Sequence, residues 1–355
     1  MRPFIGKEEL RRIKLVLESK FLSEGETTRK FEKAISNYVN AKYGIATTSA
    51  TTALHTSFEC IGVKGKKVLV SDFTFPATAL AILLAGGKPV LIDVEKETMN
   101  TSKNIIEDSL NEEISCICPV SLFGNPLDAS IYRIRKNGVK IVEDAATNLG
   151  SKIDGRFVGT QADITCFSFH PRKIITTGEG GMITTNHSMY EKKMRAFKMF
   201  GKIKNNFLNM GTNYKLSDIL SAIGLEQISK VENIIQSRIN KAKIYNELLE
   251  KIDYIKPQLQ TRNSRHTYQS YTCRIYKPNM RDKIMKELAK KNTETQIGTY
   301  ALHCLPFFKN FQRRGKLENS EFLYHNSITL PLHEELKEEE QKNICRVIRN
   351  CLSKS

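Results

Sequence analysis

The chain has 355 residues, 40% hydrophobic and 26% charged, an ordinary balance for one or two folded domains. Its first residues, MRPFIGKEELRRIKLVLESK, lack the apolar core of a signal peptide, and its longest apolar stretch, near Ala79 to Ala85, falls far short of the roughly 20 residues that span a bilayer. The net charge of +17 is spread along the chain, densest in KKMRAFKMFGKIKN (192–205), with no recognition helix, zinc finger or aromatic RNP pattern beside it. A cytoplasmic protein is expected, without membrane or nucleic-acid partners, whose basic surface suits anionic small molecules.

Taken in chain order, residues 8–20 and 27–39 carry apolar residues at helical spacing. YGIAT reads as a strand and ATTALHTSFECIG as a helix that opens at a turn of small hydroxylated residues. KKVLVSD is a strand, TFPATALAILLAGG a helix with a Gly-Gly stop, and KPVLIDV the next strand. The alternation continues through ISCICPV, a helix near 128–137, and VKIVEDA. Strands separated by such helices form βαβ units, so the fold class is α/β with a parallel sheet covered on both faces. ITCFSF and GGMITTN add two strands, followed by a basic helix and a long helical stretch over 216–250. After Pro257 the texture changes: a polar connector, the strand-like YQSYTCRIY, the helix RDKIMKELAKK, the strand SITLPL and a last helix. This predicts a large domain over 1–245 and a smaller α+β domain over 246–355.

The eight cysteines form no CxxC pair, and several lie in apolar strand-like runs, so buried free thiols are expected, with neither disulfides nor a metal.

The chemistry concentrates in DITCFSFHPRKIITTGEGGMITT (163–185). A lone loop lysine is ordinarily a surface charge. Lys173, however, lies just beyond a strand's carboxyl end, where open α/β sheets place their ligands, with the hydroxyl of Ser168 close by in sequence. A buried amine with a lowered pKa is what Schiff-base chemistry needs. Upstream, IVEDAATNLG (141–150) ends a strand with two acids. Asp144 suits a helix cap, a metal ligand or, more sharply, the partner of a pyridinium-type ring nitrogen, which a carboxylate keeps protonated. Glu143, one residue earlier, points to the opposite face of the strand. TTSATTALH (47–55) brings Thr51 and Thr52 to a helix N-terminus, either as plain capping or as a phosphate cradle. In DFTFPATA (72–79), Phe75 fits a core position as well as a ring that stacks on a flat ligand.

Together these segments resemble the sugar-nucleotide aminotransferases of the DegT/DnrJ/StrS type, which are pyridoxal-phosphate enzymes of fold type I. The resemblance runs from PFIGKEEL to SITLPLHEELKEEEQ and is most specific in SFHPRKIITTGEGG. LSEGETTRKFEKAISNY, TTSATTALH, DFTFPATALAILLAGGKPVLIDV, VEDAATNLG and GTNYKLSDILSAIG support it in the same order. It implies a mainly parallel seven-stranded sheet between helices in the large domain, and pyridoxal 5'-phosphate as the cofactor. By the same resemblance Lys173 is the Schiff-base lysine, Asp144 the partner of the ring nitrogen, and Phe75 the stacking ring. Ser168, Thr51 and Thr52 hold the phosphate, and Asn213 reaches the phosphate of a neighbouring subunit, which implies a homodimer with shared sites. Tyr300 and His303, in IGTYALHCLPFF, match a segment that lines the sugar site. Thr147 stands where the family has Gln or His near the ring hydroxyl, Ala50 where it has Gly, and Lys215 where it has Arg. The implied reaction moves an amino group from an amino-acid donor such as glutamate to a keto sugar nucleotide, a 4-keto-6-deoxy or 3-keto sugar. Two rivals stay open: transamination of a keto-cyclitol, and a nucleic-acid-binding regulator on the same fold. The dehydratases of the family carry histidine at the lysine position, and Lys173 argues against them.

Overall fold

Alternate residues of seven strands serve two different cores. In this computed structural model, which describes residues 3–134 and 138–353, those strands are β1 (Tyr43–Thr47), β2 (Lys67–Ser71), β3 (Lys88–Ile92), β4 (Ile114–Cys118), β5 (Lys140–Asp144), β6 (Ile164–Ser168) and β7 (Gly181–Thr185). Ile45, Val68, Val70, Leu91, Cys116, Cys118, Val142, Cys166 and Ile183 face one core. Their neighbours Leu69, Val90, Ile92, Ile117 and Ile141, with Ala46, Phe167 and Met182, face the other side. Strands buried on both faces read as unbroken apolar runs, because the side-chain period of two places an apolar residue on each side.

The sheet runs β1–β7–β6–β5–β4–β2–β3 and ends on a short eighth strand, Gln312–Arg313. β6, β5, β4, β2 and β3 are mutually parallel, and β7 is antiparallel to both β6 and β1. The mainly parallel α/β sheet is therefore present, with one antiparallel member. Helices α1 (Lys7–Ser19), α2 (Glu26–Val39), α3 (Ala50–Ile61), α4 (Ala77–Leu84) and α5 (Lys103–Ser109) precede or interleave the strands; α6 (Ser188–Lys198) and α7 (Asp218–Glu250) follow them. The Gly25 turn before α2 has a specific cause. The Asp218 carboxylate accepts the N–H groups of Gly25 (2.8 Å), Thr27 (3.2 Å) and Thr28 (2.9 Å), so the first residue of α7 caps α2. A side chain at Gly25 would crowd that carboxylate.

Among the described residues, the helix expected near 128–137 is represented by a 3-10 turn, Ile131–Arg133; residues 135–137 lie outside the described residues. Asp128 accepts the backbone N–H of Ser130, and Ile131, Arg133 and Ile134 each donate to the carbonyl three residues back. The local hydroxyl and carboxylate bonds hold a tight turn where the apolar spacing alone suggested an α-helix.

The chain beyond α7 adds α8 (Met280–Ala289), α9 (Glu318–Asn326) and α10 (Glu338–Ser353). A second sheet orders Ile255–Pro257, Tyr271–Ile275, Ser327–Leu330 and Gln296–Ile297, all antiparallel. Ala242, Tyr245 and Leu249 of α7 share a core with it, so that helix runs unbroken through position 245. Residues near 300–317 return to the first sheet. Tyr300–Ala301 pairs with Phe73–Thr74, Gln312–Arg313 pairs with β3, and Leu302, Phe308 and Leu317 join the first core. None of the eight cysteines is in a disulfide, and six of them are buried. Among the described residues no helix is long and apolar enough to cross a membrane.

Candidate active site

A cavity of about 1300 Å³ opens at the carboxyl ends of β5 and β6. Asp144 and Ser168, the last residues of those strands, line it together with Lys173. The loop that carries Lys173 is closed by its own threonines. Thr176 donates its hydroxyl to the Phe169 carbonyl (2.8 Å) and accepts from the Gly178 N–H (2.9 Å), while Thr177 donates to the Glu179 carbonyl (2.7 Å). TTGEGG is thus a hydrogen-bonded connection that returns the chain into β7 and leaves Lys173 in the cavity wall.

Asp144 is 5% exposed. Thr78 of α4 donates to its Oδ2 (2.7 Å) and the N–H of Ala146 to its Oδ1 (3.1 Å). Burial pushes its pKa up; the two donors and the nearby Lys173 charge pull against that. Lys173 is half-buried, its open part lining the cavity, and burial around its amine lowers the pKa to about 8. Asp144 draws that value upward and Arg172 depresses it further. Glu143 lies on the other face of β5, held by Ser121 (2.9 Å) and Tyr132 (3.0 Å), and burial raises its pKa to about 7.

The N-terminus of α3 forms another wall. Ser49 caps it by accepting the Thr52 N–H (3.2 Å), and Ser49, Ala50 and Thr51 line the cavity. The first-turn N–H groups have no partner inside the helix. Thr52 does not line the cavity: its hydroxyl is engaged with the Ser49 N–H (2.9 Å) and carbonyl (2.9 Å). Gly181 lets β7 run against this helix end, since a Cβ there would collide with the Ser49 carbonyl. Phe75 is 58% exposed and lines the cavity, which excludes a core role; the Tyr300 ring stands 6.1 Å away on the same wall. Thr147 lines the cavity too, its hydroxyl proton donated to the Ser121 carbonyl (2.9 Å).

Two expected residues lie elsewhere. His303 sits behind the wall, its Nδ1 2.7 Å from Asp72 Oδ2, an interaction that raises its pKa. Asn213 is exposed and contributes nothing to its own chain's cavity. Sequence reasoning missed Thr78, whose signal was available as a second hydroxyl four residues after Thr74 on the entry to α4. It also missed the far wall, where Gln269, His333, Glu340 and Arg346 line the cavity; His333 and Glu340 lie in SITLPLHEELKEEEQ, a segment within the resemblance to which no role was assigned.

Residues 3–349 match the profile of the DegT/DnrJ/EryC1/StrS aminotransferase family. The chain belongs to it. A GDP-perosamine synthase of Caulobacter vibrioides is 31% identical, covering 89% of this chain and 87% of its own length. A UDP-4-amino-4,6-dideoxy-N-acetyl-beta-L-altrosamine transaminase of Campylobacter jejuni is 28% identical, covering 99% and 96%. A Streptococcus pneumoniae protein solved in its PLP form superposes with a TM-score of 0.92 at 25% identity, covering 99% of this chain and 98% of that one. The family's enzymes are PLP-dependent aminotransferases, and so is this chain.

The cavity fits that cofactor. A helix N-terminus with free N–H groups suits the phosphate, and the buried Asp144 carboxylate suits a protonated ring nitrogen. Lys173 is the cavity amine whose pKa burial has lowered. The volume exceeds the several hundred Å³ of an ordinary small-molecule site, which leaves room for a second ligand.

Proposed function

We propose that this aminotransferase acts on a keto sugar nucleotide, a 4-keto-6-deoxy or 3-keto sugar, and takes the amino group from an amino acid such as glutamate. The observation that carries the reading is the meeting of Lys173, Asp144 and the α3 N-terminus in a cavity larger than the cofactor requires. The names of the two relatives support the substrate class: one acts on a GDP sugar and the other on a UDP sugar, so the class is common to them and the nucleotide is not. The eight free cysteines fit work in the cytoplasm.

When bound, pyridoxal phosphate supplies an electron sink for the charge that develops at the carbon bearing the amino group. Lys173 would hold the cofactor through its amine and would serve as the base that moves the proton at the donor's α-carbon. Its lowered pKa leaves part of the amine neutral near pH 7, as a base must be. Asp144 keeps the proton on the ring nitrogen, and Thr78 and the Ala146 N–H hold that carboxylate in place. Ser168, Thr51 and the α3 N–H groups bind the phosphate, with Thr52 acting through the cap. Phe75 would cover the ring face, Thr147 would stand near the ring hydroxyl, and Tyr300 would bound the sugar. Asn213 of one copy reaches the phosphate held by the other copy of a homodimer.

The test uses the purified yellow protein. Glutamate alone should bleach the visible band with one 2-oxoglutarate formed per site, and a keto sugar nucleotide should restore the band and appear as the amino sugar by mass spectrometry. Borohydride followed by peptide mapping should place the cofactor on Lys173, and Lys173→Ala should abolish turnover. A different labelled lysine, or restoration by a keto-cyclitol in preference to every keto sugar nucleotide, overturns the assignment.

A further inference from the structure

Behind the cavity wall, three side chains of metal-binding type converge from two elements, and His303 stands beside two of them. Cys304 Sγ, a Glu321 oxygen and a His325 nitrogen all lie within 4.8 Å of one another. The Nε2 of His303 stands 3.4 Å from Cys304 Sγ and 3.9 Å from Glu321 Oε2. Glu321 and His325 are four residues apart on α9 and so share a face, whereas His303 and Cys304 belong to the 3-10 turn Leu302–Cys304.

His303 is prepared for this role by Asp72, which is fully buried. That carboxylate accepts the His303 backbone N–H (2.9 Å) and faces Nδ1 at 2.7 Å, so the ring's other nitrogen presents a lone pair toward the cluster. A carboxylate behind a histidine is how proteins fix the tautomer and direction of a metal-bound imidazole. Around tetrahedral zinc, with bonds of about 2.3 Å to sulfur and about 2.0 Å to nitrogen or oxygen, neighbouring ligand atoms lie roughly 3.3–3.6 Å apart. The 3.4 Å sulfur–nitrogen edge already has that spacing, the 3.9 Å nitrogen–oxygen edge closes with a small turn of the exposed Glu321 side chain, and the exposed His325 ring must swing in to complete the set with His303.

We propose that Cys304, His303, Glu321 and His325 bind one zinc ion per chain. Mixed thiolate, imidazole and carboxylate ligands select zinc over magnesium or calcium. On binding, the Cys304 thiol gives its proton to water as the sulfur–zinc bond forms, and the two histidines coordinate as neutral rings, so affinity falls as pH falls. The site lies apart from the reacting groups, and its effect is on the wall. Tyr300–Ala301, just before the turn, pairs with Phe73–Thr74, and Tyr324 of α9 stands 6.1 Å from Tyr300. A metal bridge from the turn to α9 fastens the strand that carries Tyr300. The proposal does not depend on which substrate the enzyme uses.

The holoenzyme, stripped with chelator and dialysed, is titrated with Zn2+ against a chromophoric competitor and then with Co2+. The expected result is one metal per chain by elemental analysis. A near-ultraviolet thiolate-to-cobalt band and intense visible bands of tetrahedral cobalt should accompany it. Cys304→Ser and His325→Ala should each weaken zinc binding at least tenfold and remove the thiolate band or change the visible bands, respectively. The cofactor's visible absorbance reports that each variant is folded, and the exposed Glu321→Gln serves if either is not. Uptake well below one per chain, a cobalt spectrum without thiolate character, or unchanged uptake in a folded variant overturns the site.

Discussion

Asp144 is buried and Lys173 half-buried in the same cavity wall, and burial works on both in the direction that discharges them. For Lys173 the result is a pKa lowered from 10.5 to about 8. At pH 7 roughly a tenth of the amine is then neutral, several hundredfold more than for an unshifted lysine. Only the neutral amine attacks an aldehyde, so the rate at which apoprotein captures pyridoxal phosphate should climb through pH 7–9 and level off above the lysine's pKa. Asp144→Asn removes the charge that draws this pKa up, so the same curve should move to lower pH while turnover falls by several kcal/mol of transition-state stabilisation. A capture rate that keeps rising about tenfold per pH unit past pH 9, with no plateau, would show an amine with an ordinary pKa. Thr78 bears on the same carboxylate. Its hydrogen bond lowers the Asp144 pKa, so Thr78→Val raises that pKa further and makes the carboxylate easier to protonate. Loss of one bond to a charged acceptor, about 1.5 kcal/mol, predicts roughly a tenfold fall in kcat at pH 7. The acid limb of the pH profile should shift upward and activity should partly recover at higher pH. A uniform loss at every pH would mean that Thr78 acts through packing alone.

At the level of elements, the phosphate end of the cavity depends on how closely β7 approaches α3. Gly181 permits that contact, because any side chain there meets the Ser49 carbonyl, which belongs to the cap of the helix. Gly181→Ala should therefore displace the first turn of α3 and weaken the cofactor's hold at least tenfold, measured by the cofactor concentration needed to restore the visible band. Unchanged affinity would place the phosphate elsewhere. The strands that frame this end were legible because burial on both faces writes them as apolar runs, and Asp144 at a strand end and Lys173 in the loop just beyond one stood out inside distinctive motifs. The 3-10 turn at Ile131 was not, since apolar spacing cannot tell one tight turn from the start of a helix. Nor was the direction of β7, whose sequence looks the same parallel or antiparallel. The phosphate reading of Thr52 and the sugar-site reading of His303 came from position in a motif. In the structure the Thr52 hydroxyl is engaged in a helix cap and the His303 Nδ1 faces Asp72. The Cys304–His325 cluster left no trace in cysteine spacing, because its ligands are brought together by a turn and a helix 17 residues apart between Cys304 and Glu321.

At the scale of the whole molecule, the decisive question is whether one chain makes a complete site. Asn213 is exposed, lies outside its own cavity, and forms an isolated bridge with Met199 at the base of the hairpin Lys202–Ile203 and Asn206–Phe207. Around it Phe207, Leu208 and Met210 are 70%, 64% and 83% exposed, apolar surface of the kind that a partner covers. If this hairpin carries Asn213 into the site of a second copy, an Asn213→Ala chain spoils its partner's site and a Lys173→Ala chain spoils its own. Each homodimer then has two defective sites. In a heterodimer the site built on the Lys173→Ala chain also receives the Asn213→Ala substitution from its partner and carries both lesions, while the other site keeps Lys173 and receives Asn213. After equal mixing, half the dimers are mixed and each has one of its two sites intact, so about a quarter of wild-type activity should appear. Differently tagged subunits confirm exchange by pull-down, and the Asn213→Ala homodimer must itself be clearly impaired for the arithmetic to hold. With exchange and impairment both established, a mixture no more active than the average of its parents would confine each site to a single chain and remove Asn213 from the phosphate.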